Sequence, residues 1–236
     1  MHKIHYKDII SSAWSLFKKH WGFLLGLLFI LAVLSFIDSL IQSMFVDENK
    51  QLTVSWSVVI GYGIIGSIIG MIIQLGVITI ALNIVRGAEV RFNQLIGDIK
   101  LVIPFFLGSL LYMVVILVGF VLLIVPAVIW GIKYGQMFYL IVDKRMGVMD
   151  AFHKSGEMTY GSKLDIFVLW IIFMLLIIAS AIPLGLGLFI TIPMSMLLPA
   201  LVYTKLLGAS QKSEEVPQTF EQSEGEVTEA PPTPEG

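Results

Sequence analysis

Asp38 and Lys133 are the charged residues of this 236-residue chain with the clearest potential for chemistry, because each lies within a long apolar run. An ionised side chain in hydrocarbon is unfavourable, so such residues usually pair with one another or line a wet cavity. On helices that cross a membrane, both would lie about seven residues, or roughly 10 Å, from the same end of the bundle. We therefore predict an intramembrane ion pair between Asp38 and Lys133, which serves either the structure or a transport or ligand site.

Glycines in the apolar run 54–85 match two known patterns, a dinucleotide-binding motif and a stripe of small residues for helix packing. Gly61, Gly63 and Gly66 spell G-x-G-x-x-G, but a dinucleotide site needs that motif at a turn between a strand and a helix. An apolar run offers no such turn, so we predict no cofactor. Gly63, Gly66, Ser67 and Gly70 follow i, i+3, i+4, i+7 spacing, which allows close helix packing. This stripe predicts contact within the bundle or, alternatively, between two copies of the chain.

The remaining residue types exclude the common catalytic and metal sites. The chain has no cysteine, and its four histidines form no H-x-x-x-H pair. It contains neither a G-x-S-x-G nucleophile elbow nor a P-loop. We therefore predict no catalytic residues, no metal site and no enzymatic activity.

Composition indicates which kind of fold must position these residues. Hydrophobic residues make up 57% of the chain and charged residues 14%, against about half and about a quarter in soluble domains. A bilayer accommodates such a chain, because helices satisfy their own backbone groups while apolar side chains face lipid. The sequence predicts an all-α polytopic membrane protein. Its expected partners are membrane lipids and, as an option, a second copy or another protein, but not nucleic acid.

Long apolar runs predict six transmembrane helices arranged as three hairpins. A helix needs about 20 apolar residues to cross the hydrocarbon core. The run 101–142 holds 42 residues, roughly 63 Å as a helix, so it must fold back on itself, with Pro126 as the natural turn. The run 164–207 folds back in the same way at a Pro/Gly cluster that contains Pro183. The first hairpin comes from the two remaining runs, 21–45 and 54–85.

A short polar segment precedes each hairpin, and its spacing predicts an amphipathic helix at the membrane interface. The first apolar stripe consists of Ile10, Ala13, Trp14, Phe17 and Trp21. The second consists of Phe92, Leu95, Ile96 and Ile99. The third is weaker and consists of Val148, Ala151, Phe152 and Ser155. The chain is therefore predicted to contain three copies of one unit, an interfacial helix followed by a transmembrane hairpin.

The tail differs in composition from the rest of the chain. Residues 209–236 hold seven Glu and one Lys, together with many Pro, Ser and Thr residues. Such a segment cannot bury enough apolar surface to fold alone. We predict a transmembrane helical domain over residues 1–208 and a disordered, acidic Pro/Glu-rich cytoplasmic tail over 209–236.

The distribution of Lys and Arg predicts the orientation. With six spans, one side of the membrane receives 13 of the 15 basic residues, the other side receives only Lys50, and Lys133 lies within a span. Short basic loops stay in the cytoplasm. We therefore predict a multi-pass protein of the cell (inner, cytoplasmic) membrane with both termini in the cytoplasm.

Short motifs near the third polar segment resemble those of a known protein group. The stretch Ala151-Phe152-His153-Lys154-Ser155, followed by Thr159, Gly161 and Ile166-Phe167, is similar to a pattern in bacterial multi-pass membrane proteins. That group includes YciC-like inner-membrane proteins and the membrane domain fused to some glycerophosphodiester phosphodiesterases. Gly156 departs from the pattern, which often has an aromatic residue there. The resemblance implies an architecture and no catalytic residues.

Three classes of function are compatible with this sequence. The first is a non-enzymatic role in membrane, envelope or lipid homeostasis, or as a scaffold, and the extensive interfacial segments favour it. The second is a small transporter or permease component, which would need a continuous polar path through the spans. The third is a membrane-embedded lipid enzyme, which would need acids or histidines clustered at one depth.

Overall fold

The computed structural model describes residues 6–45, 53–182 and 185–226, with side chains described up to Gln211. These residues form helices and no β-strand. The helices are α1 (Tyr6–Ser43), α2 (Trp56–Arg86), α3 (Val102–Leu122), α4 (Ile124–Tyr134), α5 (Met137–Lys144), α6 (Val148–Met158), α7 (Lys163–Ala181) and α8 (Leu188–Glu226). Two 3-10 turns, Phe92–Leu95 and Ile99–Leu101, precede α3.

Six segments of the described chain are long and apolar enough to cross a membrane. They are Tyr6–Ser43, Trp56–Arg86, Phe92–Leu122, Ile124–Lys144, Lys163–Ala181 and Leu188–Gln211. The fourth segment comprises α4 and α5, which are separated by a short turn at Gly135 and Gln136. The predicted all-α class and the predicted number of apolar helices are confirmed.

The turn between α3 and α4 lies at Leu123, three residues before the expected turn residue Pro126. Leu123 has extended dihedral angles, φ 176° and ψ 159°. Pro126 lies in the first turn of α4, where a helix has no internal partner for a backbone N–H. Gly119 of α3 allows close packing, because a Cβ there would lie 2.8 Å from the Cα of Ala127. The two helices therefore pack closely as an antiparallel pair.

The turn between α7 and α8 is described from Gly185 onward, and Pro183 lies outside the described residues. Gly185 has a positive φ of 76°, a conformation that glycine adopts without steric cost. The hydroxyls of Ser180 and Thr191 form a 2.9 Å hydrogen bond between the two helices. A polar contact and a glycine turn thus close this second pair.

Burial is concentrated at one end of the bundle, which we call the basic end because α2 ends there at Arg86 and α5 at Lys144. In α2 every buried residue lies between Leu75 and Ile84. In α1 the buried residues lie between Ile9 and Leu27. Large apolar side chains in the other half of the bundle are mostly exposed, with Phe36 at 64% and Ile65 at 61%. The helices therefore pack into a core near the basic end and present apolar surface elsewhere.

The three polar segments differ from one another in structure. The first is continuous with α1 but is separated from its apolar part by non-helical dihedral angles at His20, φ −116° and ψ 21°. The second forms two 3-10 turns, so the expectation of an amphipathic α-helix was wrong there. Its backbone instead bonds to α2, where the Gly97 N–H donates to the Ile72 carbonyl at 3.1 Å. The third is a regular helix, α6, with Ala151 and Ser155 buried.

Helix pairing follows the predicted hairpins only in part. The pairs α3–α4 and α7–α8 are in contact, but α1 packs more extensively against α8 than against α2. Part of α8 is therefore central, and its residues from Leu197 to Val202 are mostly buried. The backbone of α8 continues to Glu226, so a helix covers residues 209–226, where composition predicts disorder. Residues 227–236 lie outside the described residues, and the division into domain and tail stays a prediction.

Candidate functional site

Asp38 lies on α1 in the sparsely packed half of the bundle, beside α2. Its carboxylate accepts hydrogen bonds from the hydroxyl of Tyr62 and, at 2.7 Å, from the amide of Gln42. Phe45 packs edge-on against the ring of Tyr62 with centroids 5.1 Å apart. The carboxylate is thus held by two neutral donors from the α1–α2 hairpin.

Lys133 lies near the end of α4, against α6. Its backbone carbonyl accepts hydrogen bonds from the hydroxyls of Ser155 at 2.8 Å and Thr159 at 3.2 Å. Its ammonium lies 4.7 Å from the ring centroid of Tyr134, within the range of a cation–π contact. Lys133 therefore marks the junction of α4 with α6.

The structure does not bring Asp38 and Lys133 together, and no ion pair joins them within residues 6–45 and 53–182. The prediction rested on equal depth and on assumed contact between the first and fourth spans. In the structure, α1 packs against α8, α7 and α2, whereas α4 packs against α3, α6 and α7. The cost of a buried carboxylate is instead reduced by hydrogen bonds from Tyr62 and Gln42.

The glycine stripe on α2 has no packing partner among the described residues of the chain. A Cβ added at Gly63, Gly66 or Gly70 would meet no atom within 4 Å, and the hydroxyl of Ser67 bonds to the Gly63 carbonyl of its own helix. The described residues thus show no packing on this stripe, and its role in helix packing stays a prediction. The stripe lies in the half of α2 that precedes the buried residues, where neighbouring helices do not approach.

Close packing on α2 occurs further along the helix, at Gly76. A Cβ on Gly76 would lie 2.0 Å from the Leu95 carbonyl oxygen, and a Cβ on Gly97 would lie 2.4 Å from the Cβ of Leu75. These two glycines allow the 3-10 turn at Phe92–Leu95 to lie directly on α2. They do not belong to a regular small-residue stripe, so spacing alone did not single them out.

A polar pocket of about 670 Å³ lies where α4, α6 and the start of α7 meet. Lys133 and Lys163 provide two ammonium groups, and Glu157 provides a carboxylate. The other lining residues are Tyr134, Phe152, His153, Gly156 and Tyr160. The rings of Tyr134 and Phe152 stack with centroids 3.8 Å apart. The pocket therefore combines cationic groups with an aromatic wall.

An apolar groove of about 750 Å³ lies next to this pocket along α7 and is lined by other residues of α4. Residues of α3, α4, α5, α7 and α8 line it, among them Tyr112, Val128, Gly131, Trp170, Met174 and Pro199. Several lining side chains reach the lateral surface of the bundle, since Trp170 is 51% and Met174 63% exposed. The groove is thus an apolar depression that is accessible from the side.

Gln136 is an unusual polar residue in the lining of the groove. It is only 6% exposed, and its amide oxygen has no hydrogen-bond partner among the described residues. A buried polar atom without a partner costs roughly 1–3 kcal/mol.

The polar pocket and the apolar groove share two helices. On α7, Lys163 lines the pocket, whereas Ile166, Phe167 and Trp170 line the groove. Their i, i+3, i+4, i+7 spacing places all four residues on one face of the helix. On α4, Tyr134 lines the pocket, and its neighbour Gly135 lines the groove. A molecule with a charged head and an apolar chain could therefore contact both.

A charged cluster at the basic end was missed from the sequence. The two guanidinium nitrogens of Arg86 contact the carboxylate oxygens of Asp143 at 2.5 and 2.7 Å. The hydroxyl of the fully buried Tyr203 donates to the same carboxylate at 2.7 Å. The sequence did contain a signal for this cluster. Arg86 and Asp143 carry opposite charges and lie at the ends of two spans that were predicted to end on the same side of the membrane. The cluster ties α2, α5 and α8 together.

Titratable groups elsewhere do not assemble a metal site in the described parts of the chain. No three His, Asp or Glu side chains lie close enough together there to hold a metal ion. The candidate site is therefore the pocket and groove on α4 and α7, assigned by geometry. The resemblance to the YciC-like group stays a prediction. No family model, no curated protein and no solved structure matches this chain.

Proposed function

We propose that the protein is a non-enzymatic, multi-pass protein of the cytoplasmic membrane that binds membrane lipid in the apolar groove. The single observation that carries this proposal is the groove itself, about 750 Å³ of apolar space that is accessible from the side of the bundle. A bilayer presents acyl chains to such a surface at very high local concentration. Lipid is therefore the occupant that its position and its apolar lining favour.

The proposed orientation places the basic end in the cytoplasm. Short loops rich in Lys and Arg stay on that side, and 13 of the 15 basic residues belong to the side that holds both termini. In this arrangement the first polar segment and α6 lie at the cytoplasmic interface. A basic surface there is attracted to anionic headgroups.

The proposed biological role is in membrane or lipid homeostasis. This role is compatible with the resemblance to YciC-like proteins, which implies an architecture and no catalytic residues. The polar residues of the spans give less support to a transporter, because they are engaged locally. Asp38 bonds to Tyr62 and Gln42, and the Asn83 amide donates to Gln94 at 3.3 Å. A permease would instead need polar residues that form one continuous path through the spans.

Filling the groove tests the proposal. In an Ile171→Trp variant, the indole would displace about two methylene groups of a bound acyl chain, which corresponds to about a tenfold loss of lipid affinity. Ile171 lines the groove and is 43% exposed. Native mass spectrometry of detergent-purified protein, titrated with phospholipid, would measure the bound fraction.

Leu175→Trp is the matched control for this experiment. Leu175 lies on the same helix and is 60% exposed, but it is not part of the groove lining. We expect it to bind lipid like the unmodified protein. Equal lipid binding by the Ile171→Trp and Leu175→Trp variants would contradict the proposed function.

A further inference from the structure

The two lysines of the polar pocket have no anionic partner within the described residues. The ion pairs there join Arg86 to Asp143, Arg91 to Glu89, Arg145 to Asp98 and Lys154 to Glu157. Lys133 and Lys163 belong to none of them. Both ammonium groups lie near tyrosine rings instead, 4.7 Å from Tyr134 for Lys133 and 5.9 Å from Tyr160 for Lys163.

The one carboxylate in the pocket is already engaged with another lysine. Glu157 lies 3.7 Å from the ammonium of Lys154, one turn earlier on α6. Lys154 does not line the pocket. The pocket therefore keeps two cationic groups that Glu157 does not neutralise, and its electrostatic complement is an anion.

Gly156 makes room for this cationic group. A Cβ at Gly156 would lie 3.0 Å from Cε and 3.7 Å from Nζ of Lys133. A larger side chain at this position of α6 would compete with the lysine for space. The glycine thus leaves space at this position of α6 for the end of the Lys133 side chain.

The pocket also lies beside the apolar groove, whose lining includes the buried residue Gln136. Lys163 is the first residue of a candidate membrane span, and the face of α7 that carries it continues into the groove through Ile166 and Trp170. A cationic pocket at the start of a span, followed by apolar space along that span, matches the order of headgroup and acyl chain in a phospholipid.

We infer that Lys133 and Lys163 bind the phosphate of an anionic phospholipid whose acyl chain occupies the apolar groove. This inference rests on the proposed function and adds the headgroup class to it. Phosphate suits the pocket because ammonium groups bind it as point charges. An anionic lipid suits it better than a zwitterionic one, because the two ammonium groups would repel a choline ammonium, and Glu157 is already paired with Lys154.

The test compares phosphatidylglycerol with phosphatidylcholine that carries the same acyl chains. A Lys133→Met, Lys163→Met double variant keeps side-chain length and removes both charges. A lysine near an anionic lipid surface contributes about fivefold in affinity, so the preference for phosphatidylglycerol should fall by about 25-fold. Lys100→Met, at an exposed lysine outside the pocket, should keep the preference.

Further arms of the experiment separate the alternatives. A Lys133→Arg, Lys163→Arg variant should keep the preference, because both charges remain. Glycerol 3-phosphate at millimolar concentration should not displace phosphatidylglycerol. Displacement by this soluble ester, or an unchanged preference in the double Met variant, would overturn the inference. In either case, weaker lipid binding by the Ile171→Trp variant than by the Leu175→Trp variant would leave the proposed function standing, which makes the two failures distinguishable.

Discussion

The carboxylate of Asp143 connects three helices at the basic end. It receives two hydrogen bonds from Arg86 and one from Tyr203, whose ring stacks on Tyr139 with centroids 5.6 Å apart. The side chain of Asp143 is only 9% exposed, and that of Arg86 is 40% exposed. A bidentate, partly buried pair of this kind is both stronger and more directional than an exposed ion pair.

Replacing Asp143 with Asn should therefore destabilise the protein. The variant loses the charge and one acceptor oxygen, and it leaves the Arg86 guanidinium without its counter-ion. We expect a loss of about 2 kcal/mol, seen as a lower melting temperature in detergent. Glu89→Gln is the control, because the Glu89–Arg91 pair is exposed, with side chains 83% and 69% accessible. Equal melting temperatures for the two variants would contradict a structural role of the cluster.

The failure of the predicted Asp38–Lys133 pair shows what single residues in a sequence do not reveal. Hydropathy places each charge within a span but says nothing about which spans are neighbours. The sequence offered Tyr62 and Gln42 as hydrogen-bond donors equally well, and Gln42 was reachable by its i+4 spacing from Asp38. A paired charge was expected because the carboxylate was placed in hydrocarbon, whereas in the structure two neutral donors, Tyr62 and Gln42, hydrogen-bond to it.

Glycines on α2 show how one helix serves two environments. Gly76 lies where the 3-10 turn at Phe92–Leu95 contacts the helix, whereas an added Cβ at Gly66 would meet no described atom within 4 Å. The sequence predicted the helix and its length well, because apolar length is a property of the segment. It did not identify Gly76 as a packing glycine, because this close contact depends on a turn 16 to 19 residues further along the chain, whose geometry no local pattern encodes.

Alanine at these two positions should have opposite effects. In Gly76→Ala the new Cβ would meet the Leu95 carbonyl oxygen at 2.0 Å, so the backbone must shift, at a cost of about 1–3 kcal/mol. In Gly66→Ala no atom lies within 4 Å, and the higher helix propensity of alanine can add up to about 1 kcal/mol. Melting temperatures in detergent would measure both changes. A destabilised Gly66→Ala variant would indicate that a second copy packs on the stripe.

Polar segments before the hairpins were predicted as copies of one helical unit, and the structure distinguishes them. The structure has helices at α6 and at the start of α1, where Ala13 and Phe17 of α1 and Ala151 and Ser155 of α6 are buried. The spacing did not predict the structure at Phe92–Leu95. There the Gly97 N–H donates to the Ile72 carbonyl, and the absence of a side chain at Gly76 lets the turn lie close to α2. Tertiary contact overrode a periodicity that only four apolar residues supported.

Across the whole molecule, the uneven distribution of buried residues has a physical explanation under the proposed topology. At the basic end, helices carry polar residues and must bury their apolar faces against one another, as Leu75–Ile84 of α2 do. Toward the other end, apolar side chains such as Phe36 and Ile65 remain exposed, which is stable only where lipid replaces water. A packed cytoplasmic layer beneath lipid-facing helices would have this distribution.

Cysteine labelling tests that topology directly, because the chain has no cysteine of its own. Single cysteines at Ser55, which precedes α2, and at Gln211, at the end of the last candidate span, should react from opposite sides of the membrane. Both positions are exposed. With six spans and a cytoplasmic basic end, a membrane-impermeant maleimide added to intact cells should label the Ser55→Cys variant and spare Gln211→Cys. Inside-out vesicles should reverse the pattern, whereas labelling of both positions from one side would refute the six-span orientation.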